Sequence, residues 1–307
     1  MYHFIMNPSA SSGKGAKVWE QIKEILDKEQ VIYEVHALKS AKETTLFVRE
    51  LTKGKDFKHI VVLGGDGTLN VVLNGIEDFS HTILSCIRTG SGNDFARSVG
   101  IQKDVERAIY HLLKEPEEQC LDYGIASYEA DGKRKSRRFI ISSGVGYDAD
   151  ICEEVSRSRL KKIFNRIRLG KLVYLAIGVK QIFTRKVTRA VIRLDETEEI
   201  AVPELFFVVG MIHEREGGGV PFCPRADATD GKLDICLVKN MSKLKLLLAV
   251  MLVYVKKHYI FRDITEHRCR KMTIEMEKPQ WFHMDGETPC EIQKMELTCQ
   301  SGLRFCK

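Results

Sequence analysis

The hydrophobic positions of the first 120 residues alternate between short strand-like runs and stretches with helical spacing. Apolar-rich runs at Tyr2–Met6, 31–37, 60–63 and 82–87 predict strands, and the stretches between them predict helices. Ser40 is a favourable N-cap for the helix predicted over residues 40–53. This alternation predicts a parallel sheet covered on both faces, with ligands bound at the carboxyl ends of the strands.

Beyond about residue 120 the pattern becomes rich in β-strands. Residues 120–128, 138–142, 187–194 and 205–211 are rich in β-branched or aromatic side chains and predict strands. Three helices are predicted, over residues 148–160, 171–183 and 242–257, and the last is apolar most of the way round, which favours a place in the core. We therefore predict an α/β domain over residues 1–120 and a mostly antiparallel domain over residues 121–307.

Composition narrows the class of protein but does not choose a ligand. The chain has 307 residues, 44% of them hydrophobic, which is enough for two cores. A net charge of +6 suits anionic lipid, nucleotide or nucleic acid equally well. Nine cysteines without a CxxC pair indicate reduced thiols, and the longest apolar run, residues 246–255, is too short to span a bilayer. Because the first residues also lack a signal peptide's pattern, we expect a cytoplasmic protein.

A strand, a glycine turn and a helix follow one another around residue 65. The apolar run 60–63 leads into Gly64, Gly65, Asp66 and Gly67, and helical spacing begins at Leu69. In this geometry backbone N–H groups can meet phosphate oxygens at a helix N-terminus, although neither a Walker A motif nor a dinucleotide fingerprint is present. The Asp66 carboxylate would need Mg²⁺ or an ordered water between itself and a phosphate; the alternative is a helix cap in an ordinary tight turn.

Two further loops have the composition of phosphate-binding segments. Residues 7–15, NPSASSGKG, combine small residues, hydroxyls and Lys14, although an ordinary polar turn is an equal alternative. Residues 88–101 place Ser91 between Gly90 and Gly92, just before a predicted helix. A second glycine turn beside the first would close a phosphate site from the other side.

Two groups of carboxylates are candidates for metal binding or proton transfer. In the irregular loop 217–234, Asp227, Asp230 and the carbonyl of Lys232 could surround a hard cation such as Mg²⁺, or could form an acidic turn. Asp285 and Glu287 flank Gly286 and would share one face of an extended backbone, which suits a base and a positioning or metal-binding group. A hairpin turn is the alternative for this triplet.

The segment 157–171 combines basic and apolar residues without an acidic one. Its basic residues are Arg157, Arg159, Lys161, Lys162, Arg166, Arg168 and Lys171. This composition is typical of a segment that lies on an anionic membrane surface, although a solvated helix face is equally compatible. A nucleic-acid patch is less favoured, because no known binding motif accompanies it.

Five motifs occur in an order that resembles the diacylglycerol kinase catalytic family, which includes bacterial lipid kinases and sphingosine kinases. They are NPxxGxG, GGDGTxN, GSGNDFAR, GGG…DGKLD and DGE, and they cover nearly the whole chain. In this chain the first reads NPSASSGKG, with two more residues before the first glycine. The shared GGDG also relates the chain, more loosely, to NAD kinases and phosphofructokinases. Val71 stands where the family has glutamate, and Arg88 and Thr89 precede GSGND where the family usually has proline.

The resemblance implies a fold and a set of site residues. It implies an N-terminal three-layer α/β domain with a parallel sheet and a C-terminal antiparallel β-sandwich, with the active site in the cleft between them. Asp66, Asp285 and Glu287 would be catalytic, and either Asp285 or Glu287 could be the base. A structural Mg²⁺ would be held by the Asp230 carboxylate and the carbonyls of Asp227 and Lys232. The implied nucleotide-binding residues are Asn7, Pro8, Ser12, Gly13, Lys14, Ser40, Gly64, Gly65, Asp66, Gly67, Thr68, Asn70, Ser91, Asn93 and Asp94.

The implied activity is ATP- and Mg²⁺-dependent phosphorylation of a lipid hydroxyl, with diacylglycerol as the expected acceptor. We expect a peripheral protein that meets its lipid at an anionic membrane surface, that does not bind nucleic acid and for which a homodimer is a possible assembly. Two alternatives stay open. One is a kinase of a soluble nucleotide, as in NAD kinases, and the other is a catalytically idle protein that binds lipid or nucleotide.

Overall fold

The computed structural model describes residues 1–8, 14–90, 92–157 and 170–307. The chain forms two compact units, Met1–Tyr123 with Ser301–Lys307, and Gly124–Gln300. The division thus falls three residues beyond residue 120. The last seven residues belong to the first unit, whereas the division predicted from the sequence placed them in the second.

Strands and helices alternate through the first unit, as the hydrophobic pattern predicts. Within the described ranges its elements are β1 (Tyr2–Met6), α1 (Lys14–Lys28), β2 (Tyr33–Ala37), α2 (Ala41–Leu51), β3 (Lys58–Gly64), α3 (Asp66–Gly75), β4 (Thr82–Arg88), α4 (Asp94–Ser98) and α5 (Val105–Lys114).

The first unit is built on a parallel sheet in the order β2-β1-β3-β4. The register pairs Met6 with both Ala37 and Leu63, and Gly64 with Arg88, so the carboxyl ends of all four strands share one edge. The chain terminus adds a parallel segment beside β4. The predicted parallel sheet is confirmed, and its carboxyl edge carries the glycine turns.

The helices of the first unit pack in pairs, α1 against α5 and α2 against α3. Ser40 is the N-cap of α2, as expected, and its Oγ accepts the Glu43 N–H. A Cβ on Gly75 would lie 2.7 Å from the Cβ of Val48, so glycine allows α2 and α3 to approach closely.

The second unit is mostly antiparallel, and β5 begins and β13 ends within the first unit. The remaining elements are β5 (Glu118–Ala130), β6 (Lys133–Phe139), β7 (Ser142–Gly146), α6 (Tyr147–Arg157), α7 (Gly170–Thr184), β8 (Thr188–Leu194), β9 (Glu198–Met211), β10 (Leu233–Lys239), α8 (Lys243–Val253), a 3₁₀ turn (His258–Ile260), β11 (Ile264–Cys269), β12 (Lys271–Met284) and β13 (Glu291–Cys306).

Two long strands organise the β-sandwich of the second unit. The first parts of β9 and β12 both pair with β8, and their later parts both pair with β7. The core between the strands is aliphatic and aromatic, and its fully buried members include Phe139, Ile192, Ile235 and Phe282. The antiparallel sandwich predicted from the family resemblance is therefore confirmed.

Two predictions of local structure in the second unit are wrong. The strand predicted over residues 138–142 is instead the end of β6 and the start of β7, with a bend at residues 140 and 141. Helix α8 ends at Val253, and only one of its faces lies in the core. Leu246, Ala249 and Val253 are buried, whereas Leu244 and Met251 on the outer face are each 70% exposed. Among the described helices, none is both long enough and apolar enough to cross a bilayer.

Candidate functional site

Two glycine turns lie in backbone contact at the carboxyl edge of the parallel sheet. Gly64 ends β3 and its carbonyl accepts the Thr89 N–H, just beyond β4, at 3.0 Å. A Cβ added to Gly90 would lie 2.7 Å from the Cα of Gly65, and one added to Gly65 would lie 3.2 Å from the Cα of Gly90. Only glycine at these positions allows the two turns to touch, because a Cβ at Gly90 would collide with backbone.

The Asp66 carboxylate joins the second turn to the first. Its Oδ2 accepts the Asp94 N–H at 3.0 Å and its Oδ1 accepts the Phe95 N–H at 3.1 Å, which are orphan donors of the first turn of α4. Asp66 therefore stabilises a helix end other than its own. These bonds also place backbone dipoles on the carboxylate, which reduces its repulsion of a nearby phosphate.

The start of α3 presents backbone donors beside open space. The Leu69 N–H makes the first intrahelical bond, to the Gly65 carbonyl at 3.1 Å, so the Gly67 and Thr68 N–H groups precede the helical ladder. A Cβ added to Gly67 would meet no described atom within 4 Å. An anion placed there would interact favourably with the positive end of the ten-residue helix.

Several predicted nucleotide-binding residues brace this edge of the sheet. Asn93 adopts a left-handed conformation with φ 54° and its Nδ2 donates to the Gly90 carbonyl at 2.6 Å. Asn70 is buried and accepts from Asn74 Nδ2 through both its carbonyl and its Oδ1. Ser40 caps α2, so the structure gives its hydroxyl a local role.

The amino-terminal loop is only partly described. Asn7 and Pro8 directly follow β1, at the same edge as the glycine turns. Ser12, Gly13 and Ser91 lie outside the described residues, as does the side chain of Lys14. The nucleotide-binding roles of these residues stay predictions.

The DGE triplet forms a tight hairpin turn and not an extended strand. The Met284 N–H donates to the Glu287 carbonyl and the Glu287 N–H donates to the Met284 carbonyl, both at 2.9 Å. Asp285 and Gly286 both have positive φ, 47° and 82°, as a two-residue type I′ turn requires. Of the two conformations that the sequence left open, the structure has the hairpin turn, in which Asp285 and Glu287 do not share one face of an extended backbone.

The two carboxylates of this turn have different surroundings. The carboxylate of Asp285 accepts the N–H groups of Ile140, Ile141 and Ser142 at 2.8, 2.8 and 3.1 Å. The Glu287 side chain is 51% exposed and forms an ion pair with Arg137. Asp285 thus fixes the turn against the bend between β6 and β7, whereas Glu287 is accessible from solvent.

A buried cluster beneath this turn was not recognised from the sequence. His283, Asp148 and Glu216 are all buried, and His283 Nε2 lies 2.9 Å from Asp148 Oδ2. Glu216 accepts a hydrogen bond from the Ser142 hydroxyl. Because these residues are far apart along the chain, no local motif indicates that they meet.

The protonation of His283 follows from its neighbours. The Gly286 N–H lies 3.3 Å from Nδ1, a bond that only a neutral ring can accept, and its length makes it weak. The shorter contact with the Asp148 carboxylate, at 2.9 Å, favours the protonated ring. Burial alone would lower the pKa of His283, but Asp148, aided by Glu216 and Asp285, outweighs burial and raises the pKa to about 9.

The carboxylates of the loop 217–234 have protein partners of their own. Asp230 Oδ1 accepts the Lys232 N–H at 3.0 Å, and its Oδ2 lies 3.4 Å from Arg268 Nη1. Asp227 Oδ1 accepts both the N–H and the hydroxyl of Thr229. The guanidinium of Arg268 therefore lies beside the carboxylate that the resemblance assigns to Mg²⁺. The other two implied ligands are the carbonyls of Asp227 and Lys232, which these contacts do not concern, so the magnesium site stays a prediction.

Arg268 also neutralises a second carboxylate beside this loop. Its Nε and Nη2 lie 3.1 and 3.0 Å from Oδ1 of the buried Asp234. Burial raises the pKa of Asp234 to about 6, and the arginine opposes that rise. A fixed arginine thus supplies positive charge where the sequence predicted a metal ion.

Comparison with known families separates the same two regions of the chain. The diacylglycerol kinase catalytic domain model matches residues 1–122, and the YegS C-terminal NAD kinase beta sandwich-like domain model matches residues 141–300. The chain belongs to the diacylglycerol kinase catalytic-domain family. The first three motifs of the family fall within residues 1–122, and the last two fall within residues 141–300.

Individual relatives of this family match the chain along most of its length. YtlR of Bacillus subtilis, provisionally named as a lipid kinase, is 29% identical over 290 residues, 93% of each chain. A diacylglycerol kinase of Bacillus subtilis is 24% identical over 289 residues, 92% of this chain and 88% of the relative. A crystal structure from Bacillus anthracis, provisionally titled a diacylglycerol kinase, superposes with a TM-score of 0.76 at 22% identity and covers 99% of this chain and 94% of its own.

We predict that Gly90→Ala destabilises the protein by about 1–3 kcal/mol, because the new Cβ overlaps the Cα of Gly65. Gly67→Ala is the matched control. Its Cβ meets open space, and alanine has the higher helix propensity, so we expect unchanged or slightly higher stability. Urea unfolding of both variants measures the difference, and equal stability of Gly90→Ala and the parent would contradict the contact between the turns.

Proposed function

We propose that this protein is an ATP-dependent lipid kinase that transfers the γ-phosphate to the hydroxyl of diacylglycerol or a similar lipid. The product would be phosphatidic acid or the corresponding lipid phosphate. The observation that carries this proposal is the pair of glycine turns in backbone contact, with the donors of Gly67 and Thr68 beside open space. The names of the relatives support a lipid as the acceptor.

In the first unit, the nucleotide phosphates would bind at the start of α3. Backbone N–H groups there can hold phosphate oxygens without a side chain between them, and Lys14 at the start of α1 would add positive charge. We take the nucleotide to be the magnesium complex of ATP, in which the ion offsets phosphate charge. The protein's contribution is then mainly positioning and electrostatics, as in other phosphoryl transfers.

In the second unit, we propose Glu287 as the base that accepts the proton of the lipid hydroxyl. Both oxygens of Asp285 are already engaged by three backbone N–H groups, which favours a fixed anion over a proton acceptor. Glu287 is half-exposed, and its partner Arg137 can hold it in place without blocking access. Asp285 would then be a positioning residue that sets the direction of Glu287 through the tight turn.

An exposed apolar surface on α7 and α8 supports a lipid substrate. We call it the apolar face; it comprises Leu175, Val179, Phe183, Leu244, Leu248 and Met251, all exposed. The two helices contact each other, and Lys243 Nζ of α8 donates to the carbonyl of Phe183 of α7 at 3.0 Å. Two stripes at i, i+4 spacing are thereby brought into one surface.

Lysine residues accompany this apolar face. Lys180 lies on α7 and Lys245 lies on α8, and both are more than half exposed. Each also forms an ion pair, Lys180 with Glu154 and Lys245 with Asp263. Apolar side chains beside cationic ones suit a protein that rests reversibly on an anionic leaflet. The basic segment proposed for the same role lies mostly outside the described residues, since only Arg157 and the backbone from Gly170 onward are described. We propose that the protein is cytoplasmic and binds peripherally to an anionic membrane surface.

The direct test is transfer of labelled phosphate from ATP to acceptors in mixed micelles. Diacylglycerol, phosphatidylglycerol, sphingosine and ceramide are offered in parallel, with NAD as a soluble acceptor. We expect label in a lipid, and a loss of about 100-fold in turnover for Glu287→Gln with little change in ATP binding, because a base acts on transfer. Glu291→Gln, which alters an exposed carboxylate nearby, is the control and should keep parental turnover.

The pattern of label separates the alternatives. Labelled NADP without labelled lipid would replace the lipid kinase with a kinase of soluble nucleotide. ATP binding without transfer to any acceptor would indicate an idle binding protein.

Asp285→Asn should lower both turnover and the melting temperature, since an amide cannot accept all three N–H groups. A variant that keeps parental stability would contradict the proposed positioning role of Asp285.

We also predict that the apolar face mediates binding to vesicles rich in phosphatidylglycerol. The double variant Leu244→Ser, Met251→Ser should bind about tenfold more weakly, because both side chains are exposed in solution and would lose burial in the lipid. Sedimentation of vesicles at low and high salt measures the affinity. Ile32→Ser, on an exposed apolar residue of the first unit, is the matched control, and equal binding of all three proteins would exclude the apolar face as the contact.

A further inference from the structure

Two histidines and a glutamate converge on one face of the parallel sheet, at the edge formed by β1 and β2. His3 Nδ1 lies 3.4 Å from Glu34 Oε2, and His36 Nε2 lies 3.5 Å from the same oxygen. The strand register explains this meeting, because His3 is paired with Glu34 and His36 is two residues further along β2. All three residues lie within the first unit.

The ring nitrogens that face Glu34 are not hydrogen-bonded. His3 Nδ1 and His36 Nε2 are both buried atoms without a hydrogen-bond partner among the described residues. Two other histidines approach carboxylates more closely, since His81 lies 2.7 Å from Asp78 and His283 lies 2.9 Å from Asp148. His267 and His111 stay at 3.5 and 3.7 Å from Glu198 and Glu115. A buried imidazole nitrogen that stops short of a hydrogen bond needs another partner.

The spacing of these atoms matches that of ligands around a tetrahedral metal ion. Zinc binds histidine nitrogen at about 2.0–2.1 Å and carboxylate oxygen at about 2.0–2.2 Å. Tetrahedral angles then place neighbouring ligand atoms about 3.4 Å apart. The two separations from Glu34 Oε2, 3.4 and 3.5 Å, agree with this value, and all three ligand atoms lie within 4.8 Å of one another.

We propose that His3, Glu34 and His36 form a binding site for a divalent transition metal of the zinc class, with solvent at the fourth position. Two imidazoles and one carboxylate are a donor set that suits zinc, cobalt and nickel better than the hard ions magnesium and calcium. The Glu34 side chain is 52% exposed and gives the ion an entry path, whereas the His3 side chain is only 3% exposed.

The electrostatic surroundings keep both imidazoles available as ligands. Burial is the main cause that lowers the pKa of His3 and of His36, and Glu34 opposes it in both cases. The neighbouring charges of Lys58 and of the chain's amino terminus lower the pKa of His3 further. Neutral imidazoles at neutral pH are what metal coordination needs.

Packing also holds the rings in place before any ion binds. The rings of His3 and His36 are stacked with centroids 5.8 Å apart, and Phe47 of α2 lies 4.3 Å from the His36 ring. Since β2 is the edge strand of this sheet, an ion bound here would tie it to β1. The proposal is independent of the proposed kinase activity, because none of these residues belongs to the nucleotide or acceptor sites.

The test uses the full chain, stripped with EDTA, and metal binding as the readout. Zinc is titrated by calorimetry and cobalt by visible absorption. We expect one equivalent to bind, a rise in melting temperature of about 3 °C or more with zinc, and a cobalt spectrum of tetrahedral type without a thiolate charge-transfer band. Magnesium at the same concentration should have no such effect.

Variants assign the ligands. Glu34→Gln and His36→Gln alter partly exposed side chains and should each weaken cobalt affinity at least tenfold without loss of folding. The matched control is Glu115→Gln. Glu115 Oε2 lies 3.7 Å from Nδ1 of His111, so this pair offers one imidazole and not two. The control variant should keep parental cobalt affinity. A thiolate band, or parental affinity in both Glu34→Gln and His36→Gln, would overturn the proposal and attribute binding to cysteines or to the surface. If a His3→Gln variant fails to fold, the proposal is still tested by the Glu34→Gln and His36→Gln variants.

Discussion

The backbone contact between Gly65 and Gly90 is the constraint on which the first unit's site depends. It exists because neither residue has a Cβ and because Asp66 holds the start of α4 through two hydrogen bonds. Without that carboxylate, two helix donors would lose their partners and the second turn would lose its anchor.

A similar principle operates in the hairpin turn of the second unit. Asp285 accepts three backbone N–H groups from the bend between β6 and β7, so a carboxylate again fixes a turn to a distant segment. The accessible carboxylate, Glu287, is the neighbour that this anchoring orients. In each unit an aspartate, Asp66 or Asp285, fixes a turn by accepting backbone N–H groups. The groups proposed to contact the substrate lie next to that aspartate in the chain. Arg268 extends the pattern, because it supplies by side chain the positive charge that a metal ion was expected to bring.

Sequence patterns predicted the parallel sheet, the N-cap at Ser40 and the glycine turns, because each depends on residues that are close along the chain. They did not predict the partners of Asp66 or Asp285, nor the cluster of His283, Asp148 and Glu216, since these contacts join segments that are distant in sequence. The geometry of the DGE triplet stayed open at the level of sequence, because alternation cannot distinguish an extended strand from a two-residue turn. The exposure of α8 was missed because a helix that is apolar all round is typical of a core, and its outward face is visible only in the fold.

The central claim is that the backbone donors at the start of α3 bind the nucleotide phosphates. Site-resolved amide hydrogen exchange, with and without a non-hydrolysable ATP analogue and magnesium, measures this directly. The account predicts that exchange at Gly67 and Thr68 slows on binding, while amides in the middle of α3 change little. Unchanged exchange at Gly67 and Thr68 under saturating nucleotide, with slowing confined to another part of the protein, would contradict it.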